Sequence, residues 1–176
     1  MSKKLTRDPL FRYVGGDSFI KSSRVLLRSA SRFIRSGVGL RLYGNYKRVV
    51  EHPNVELMGR VSHDYLMREH RYAQGLLFPS INEELLPYAV VESAVSGTVP
   101  LVSNAGGAVE VLRGTPAEKF AFKVGDADDM ADKVLSLVAE DTKEVFEMGL
   151  KTSDVVLKRL EESSRRLPRY ILSILD

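Results

Sequence analysis

The segment GLLFPS, residues 75–80, limits what this chain can become more than any other stretch. It is continuously apolar, too short for a helix, and closed by glycine on one side and Pro-Ser on the other. Such a run is the mark of a strand buried on both faces, the habit of parallel sheets. Comparable runs recur along the chain and alternate with helical spacing. LFRYVGG (10–16), LRLYG (40–44), NVELMG (54–59) and TVPLVSN (98–104) read as strands, and KFAFKVG (119–125) as a last one. Helical patterns occupy 19–34, 62–73 and 87–96, with a short helix opening near Gly106-Gly107 and another across the Asp-rich 125–140. Ser62 is a good N-cap, and Pro87 suits a first helical position. Two further helical stretches, 142–155 and 157–175, close the chain, with Pro168 expected to kink or divide the second.

Strand–helix alternation in short units implies a parallel sheet covered by helices on both faces. The expected fold class is therefore α/β, a doubly wound parallel sheet of Rossmann-like type with C-terminal helices. The 176 residues suit one domain, with a core over about 8–140 and terminal helices over about 142–175. Ligands of such folds bind beyond the C-terminal ends of the strands, where loops meet helix N-termini.

Composition narrows the functional classes. Lys and Arg number 26 against 23 Asp and Glu, a net +3 dispersed along the chain, which gives no argument for nucleic acid. Without cysteine there are no disulfides or thiolate metal sites, and His52, His63 and His70 lack ligand spacing. The start MSKKLTRDPLF has no apolar signal core, and no run approaches the roughly 20 apolar residues of a membrane span. A soluble cytoplasmic protein is the expectation. The basic cluster Arg165, Arg166 and Arg169 leaves peripheral contact with anionic lipid open, a solvated helix face being the simpler reading.

The chemistry concentrates in FPSINEELLPYAVVESAVSG, residues 78–97, where Glu84 and Glu92 are separated by seven residues. Glu84 falls in a loop before a helix whose N-terminus favours negative charge, so it has a simple reading as a local cap. Glu92 falls among Ala89, Val90, Val91, Ala94 and Val95, in a helix the sheet should largely bury. A carboxylate there needs partners. Either its own neighbours supply them, or it accepts hydrogen bonds from a ligand diol, as acidic residues do with ribose in dinucleotide-binding folds.

These residues resemble the donor-binding, C-terminal half of retaining GT-B glycosyltransferases of family 4, the "group 1" type. That family carries E-G-F-G-x-x-x-x-E-A-x-A-x-G-x-P-V-x-x-S-x-x-G-G-x-x-E, with its E-x7-E core. Here Glu84 and Glu92 match the two glutamates, and Gly97, Ser103, Gly106, Gly107 and Glu110 fall in register. The resemblance reaches outwards over residues 10 to about 140, from YVGG with Lys21 to KFAFKVGDADDMADKVLSLV.

What the resemblance implies is specific. Glu92 would bind the ribose hydroxyls of a nucleotide-sugar donor, and Glu84 would sit near the donor sugar as the catalytic-site glutamate. Backbone N–H groups of Leu85, Leu86 and Tyr88 would meet the sugar. Lys21, beside Gly16, would neutralise the diphosphate without a metal or other cofactor. Arg60 and Val61 would flank the base, where His63 and Asp64 also fall. The N–H groups at Gly106 and Gly107 would approach the ligand, or these glycines simply start a helix.

Three positions depart from the pattern. Gly16 stands where the family has an arginine, with Arg12 or Arg24 available to compensate. Leu85-Leu86-Pro87 replaces Gly-Phe-Gly, adding bulk and removing a donor. Val99-Pro100 reverses the usual order. The resemblance also covers only one of two Rossmann-like halves, so the expected partners are a nucleotide-sugar donor, an N-terminal half outside this chain, and an acceptor. Two alternatives stay open: a non-catalytic interaction domain whose pocket Leu85 or Leu86 would plug, and half of a nucleotide-sugar epimerase.

Overall fold

Residues 9–47 and 51–175 are described by a computed structural model, with side chains through Arg166. Strand β1 (Leu10–Val14) is followed by α1 (Ser23–Phe33), a 3-10 turn (Ile34–Ser36), β2 (Gly39–Tyr43) and β3 (Val55–Gly59). Then come α2 (His63–His70), β4 (Gly75–Phe78), α3 (Tyr88–Val95), β5 (Val99–Val102) and α4 (Gly106–Leu112). A 3-10 helix (Pro116–Phe120), α5 (Ala127–Ala139) and α6 (Thr142–Leu175) complete the order. All four strand pairings are parallel, in the order β3-β2-β1-β4-β5. β1 lies between β2 and β4, so the winding reverses there, which is the crevice position of doubly wound sheets.

Side-chain parity explains the layers. Phe11 and Tyr13 face one way, register with Leu40 and Leu42, and join Leu26, Phe33, Met130 and Val134 in the core under α1 and α5. Arg12 and Leu76 are paired and face the other way, toward α2 and α3. β4 and β5 are buried at every position, as the continuous apolar runs require. Pro100 is tolerated because β5 is the edge strand, where a missing N–H breaks no ladder.

Four expectations are corrected. The helix expected over 19–34 starts at Ser23, because Ser22 has a left-handed φ of 50° and the preceding residues turn back through Ser22 N–H to Phe19 O. Phe19 and Ile20 are consequently exposed. Pro87 is the N-cap rather than the first helical residue of α3, its carbonyl accepting from Val90 and Val91. The strand expected over 119–125 shrinks to one parallel bridge, Ser103 to Phe122. It is squeezed between the 3-10 helix and the Asp126 cap of α5, whose carboxylate takes the N–H groups of Asp128 and Asp129. Finally, the two terminal helices are one element, α6, running on through Pro168.

α6 is fastened to the sheet's α3 side by close backbone approach. Ser153 Oγ donates to Val95 O at 3.1 Å, and Gly149 lies against the turn after α3. A Cβ at Gly149 would stand 2.1 Å from Gly97 O. Further along, the Arg159 guanidinium donates to Glu110 O at 3.4 Å, to Val111 O at 3.3 Å and to Arg113 O, meeting the carbonyls that end α4. Arg165 and Arg166 lie near Glu161 and Glu162 at 3.9 and 4.0 Å, while the Arg169 side chain lies outside the described residues. Among the described residues no helix is long and apolar enough to cross a membrane.

Two outcomes follow for stability. Gly149→Ala should cost about 2–3 kcal/mol in urea denaturation, since backbone rather than a movable side chain occupies the space; an unchanged midpoint would show that α6 can slide freely. His70 is fully buried, and burial holds its imidazole at about 4, below the usual 6.5. Between those values the unfolded chain binds a proton that the fold refuses, so this stability is full above pH 6.5 and falls toward pH 4. The loss is about 3 kcal/mol by that point. His70→Leu should flatten the pH dependence of unfolding across this window by one proton, and an unaltered slope would contradict it.

Candidate functional site

Strands β1, β2 and β3 each end in glycine, at Gly15-Gly16, Gly44 and Gly59, and this repeated residue type shapes the C-terminal edge of the sheet. The N–H groups of Gly15 and Gly16 donate to Tyr43 O at 3.2 and 3.1 Å, and Gly44 donates to Gly59 O at 2.7 Å. Gly44 has φ of 115°, and a Cβ on it would lie 2.7 Å from Gly16 Cα. Only bare backbone packs this closely. The outcome is a cleft of about 410 Å³ lined along its floor by these turns, with Asp17, Arg60, Val61 and Leu66 among its walls.

Of the residues expected at the site, Gly16, Arg60 and Val61 line this cleft. Lys21 lies beside it: its Cδ is 3.0 Å from where a Gly15 Cβ would be, so the aliphatic stem crosses the end of β1. Tyr13 OH holds this loop down, lying 3.1 Å from Lys21 O and 3.3 Å from Gly16 O, and burial pushes its phenol up. The loops after β1 and β4 are joined by Ile81 N–H to Ile20 O at 3.0 Å. Neither Lys21 nor Arg60 has an ion-pair partner among the described residues.

Arg12 has a different fate. It is fully buried on β1, its Nη2 3.1 Å from Glu69 Oε2, with Arg41 Nη1 3.0 Å and Tyr43 OH 3.4 Å from the same oxygen. Burial pulls its pKa down. Facing α2 from the sheet interior, it does not replace the family arginine at position 16. Arg24 is exposed on α1. Position 16 itself is built for glycine: its φ is 62°, and a Cβ there would stand 3.0 Å from Asn45 O.

The two glutamates sit on different elements. Glu84, half-buried, accepts from Ser80 Oγ at 3.3 Å, and its carbonyl accepts from Gly107 N–H at 2.7 Å. It therefore does not cap α3, which has no side-chain cap. Gly106 and Gly107 start α4 and make room for the loop: a Cβ on Gly107 would be 2.1 Å from Leu85 O, and one on Gly106 2.8 Å from Glu83 Cα. In this conformation the N–H of Gly107 is spent on the loop rather than open to a ligand. Leu85 is 96% exposed, and Leu86 and Tyr88 also face solvent, so neither leucine plugs the cleft.

Glu92 is not turned into the interior. Its side chain is 24% exposed, and Oε1 lies 2.8 Å from Nε2 of His63, the first residue of α2. His63 follows Val61 by two residues and precedes Leu66 by one turn, and both of those line the cleft. The pair thus joins α2 to α3, two residues on from cleft-lining Val61. Sequence reasoning missed Asp17, Gly44, Asn45, Gly59 and Leu66 as cleft residues; glycine ending three successive strands was the available signal.

Known proteins share this fold. The catalytic domain of cholesterol-alpha-glucosyltransferase from Helicobacter pylori superposes with a TM-score of 0.71 at 19% identity, covering 86% of this chain and 99% of that one. Anabaena HepE in complex with UDP gives 0.79 at 16% identity, covering 95% of this chain and 49% of that one. Starch Synthase IV from Arabidopsis thaliana, bound to ADP and acarbose, gives 0.76 at 15%, covering 100% of this chain and 40% of that one. The chain therefore spans about half the length of HepE and less of the synthase. At these identities the likeness establishes the fold, that of the C-terminal half of GT-B enzymes. The comparison with curated proteins gives no match. Residues 8–140 match the family described as glycosyl transferases group 1, and the chain belongs to that family.

Proposed function

We propose that this chain is the nucleotide-sugar donor-binding domain of a retaining glycosyltransferase, which moves a hexose from a nucleoside diphosphate to an acceptor hydroxyl. The observation that carries this reading is Glu92: a carboxylate on a largely buried helix that reaches the surface and meets His63, two residues beyond cleft-lining Val61. The UDP and ADP named with HepE and the starch synthase support a nucleotide as the ligand class.

In this reading Glu92 accepts from the ribose hydroxyls, and the base lies against Val61 and Leu66. Lys21 and Arg60, both free of ion pairs among the described residues, neutralise the diphosphate without a metal. Glu84 and the main chain of Leu85, Leu86 and Tyr88 meet the sugar once the 83–86 loop closes over it. In the reaction the anomeric C–O bond to the diphosphate breaks and a C–O bond to the acceptor oxygen forms on the same face, the acceptor proton being lost. The acceptor is held by an N-terminal half outside this chain. Contact with a membrane surface through Arg165, Arg166 and Arg169 belongs to the same proposal only as a peripheral one, in the cytoplasm.

Calorimetric titration with UDP, GDP and ADP tests the reading. One of them should bind at millimolar concentration or better, and Glu92→Gln should weaken it about tenfold, the worth of a charge-assisted hydrogen bond. No binding by any of the three would sink the proposal; equal binding by the variant would remove the ribose role from Glu92. Gly16→Arg, which restores the family cation, should not tighten binding. It should instead lower stability by about 1–2 kcal/mol in thermal unfolding, because the left-handed backbone and Asn45 resist a side chain there. A tighter, fully stable variant would contradict this account of position 16.

A further inference from the structure

His63 and Glu92 meet across two helices for a reason that surface ion pairing does not explain. The His63 side chain is 65% exposed, and an exposed pair of this sort contributes little to stability. Yet the imidazole is placed with care by its surroundings. Ser62 caps α2 by accepting from Tyr65 N–H at 3.3 Å, which fixes the helix start. His63, Leu66 and His70 share one helical face, and the latter two are buried, so His63 leaves α2 from the side that packs inward. On α3, Glu92 is flanked by buried Val91 and Ser93 and stands one turn beyond exposed Tyr88.

A glutamate side chain reaching out of such a helix has three rotatable bonds, and ordering it on ligand binding costs free energy. A hydrogen bond already made to one oxygen removes most of that cost in advance. The carboxylate has about four lone-pair directions. With Nε2 on Oε1, one direction on that oxygen and both on Oε2 remain, enough for the two hydroxyls of a cis-diol.

We propose that His63 is a positioning residue for the nucleoside site: its Nε2–H holds Oε1 of Glu92 so that the carboxylate is pre-set to accept a ribose 2′,3′-diol. The inference rests on the nucleotide reading of Glu92 and adds to it the residue that makes the carboxylate ready. His63 touches the ligand only through Glu92. The pair also makes the specificity sharp at this point, because a ligand lacking the hydroxyls leaves a pre-aimed carboxylate facing nothing and gains nothing from its preparation.

Whichever of UDP, GDP or ADP binds the full chain most tightly is the probe, alongside its 2′,3′-dideoxy analogue. His63→Ala should weaken the diol-bearing nucleotide about fivefold, the worth of one hydrogen bond. His63→Gln, whose side-chain amide reaches the Nε2 position, should restore affinity to within about twofold. The dideoxy analogue should bind all three proteins alike. Circular dichroism and thermal unfolding would verify that the variants are folded. Unchanged affinity in His63→Ala, with the wild type binding, would overturn the positioning role alone. Equal loss for both nucleotides, or no rescue by glutamine, would place His63 on the base or phosphate and overturn it too. Failure of the wild type to bind any of the three would overturn the functional reading and this role together. Imidazole nitrogen shifts give a ligand-free readout: Glu92→Gln should change the His63 signals, and identical spectra would show that the pair does not exist in solution.

Discussion

Parallel pairing of β1 with β2 on one side and β4 on the other governs everything at the functional edge. Because successive units wind in opposite directions from this strand, its C-terminal end lies at the switch point of the sheet, and a crevice opens where the turns after β1, β2 and β3 meet. The crevice would close again if the turns beyond the strands carried side chains. Gly16 and Gly44 let those turns meet backbone to backbone, so the floor is low and the walls are left to Arg60, Val61 and Leu66. Cleft and sheet are one construction: the hydrogen bonds from Gly15, Gly16 and Gly44 that extend the strand ladder are also those that shape the hollow.

Much of this was legible from the residues. Continuous apolar runs identify β4 and β5, and the two glutamates, with the glycines that follow, identify the family. What escaped were features decided by tertiary contact. Ser22 adopts a backbone conformation its residue type rarely takes, so periodicity alone carried α1 four residues too early. The run KFAFKVG has the composition of a strand, but the caps on either side leave it room for one bridge. Gly106 and Gly107 look like places for a ligand to approach; the neighbour that needs the space is the chain's own loop at 83–85. The His63–Glu92 contact spans 29 positions and has no local signal at all.

The arginines show how parity decides chemistry. Arg12 and its neighbours on β1 differ by one position, yet that step sends the guanidinium under α2, where Glu69 must serve Arg12, Arg41 and Tyr43 together. Two of its nitrogens, Nε and Nη1, are left without a partner among the described residues. A buried charge so placed gives register rather than reactivity: a slipped β1 would turn Phe11 and Tyr13 toward α2 and strand the cation in the core under α1 and α5. Arg60, one residue past β3, escapes that fate because the strand has already ended.

Arg159 joins distant parts of the molecule into a mechanical series. Its guanidinium holds the far end of α4, whose near end, through Gly107, grips the carbonyl of Glu84. The terminal helix and the segment carrying the first glutamate are thus fastened to opposite ends of one seven-residue helix.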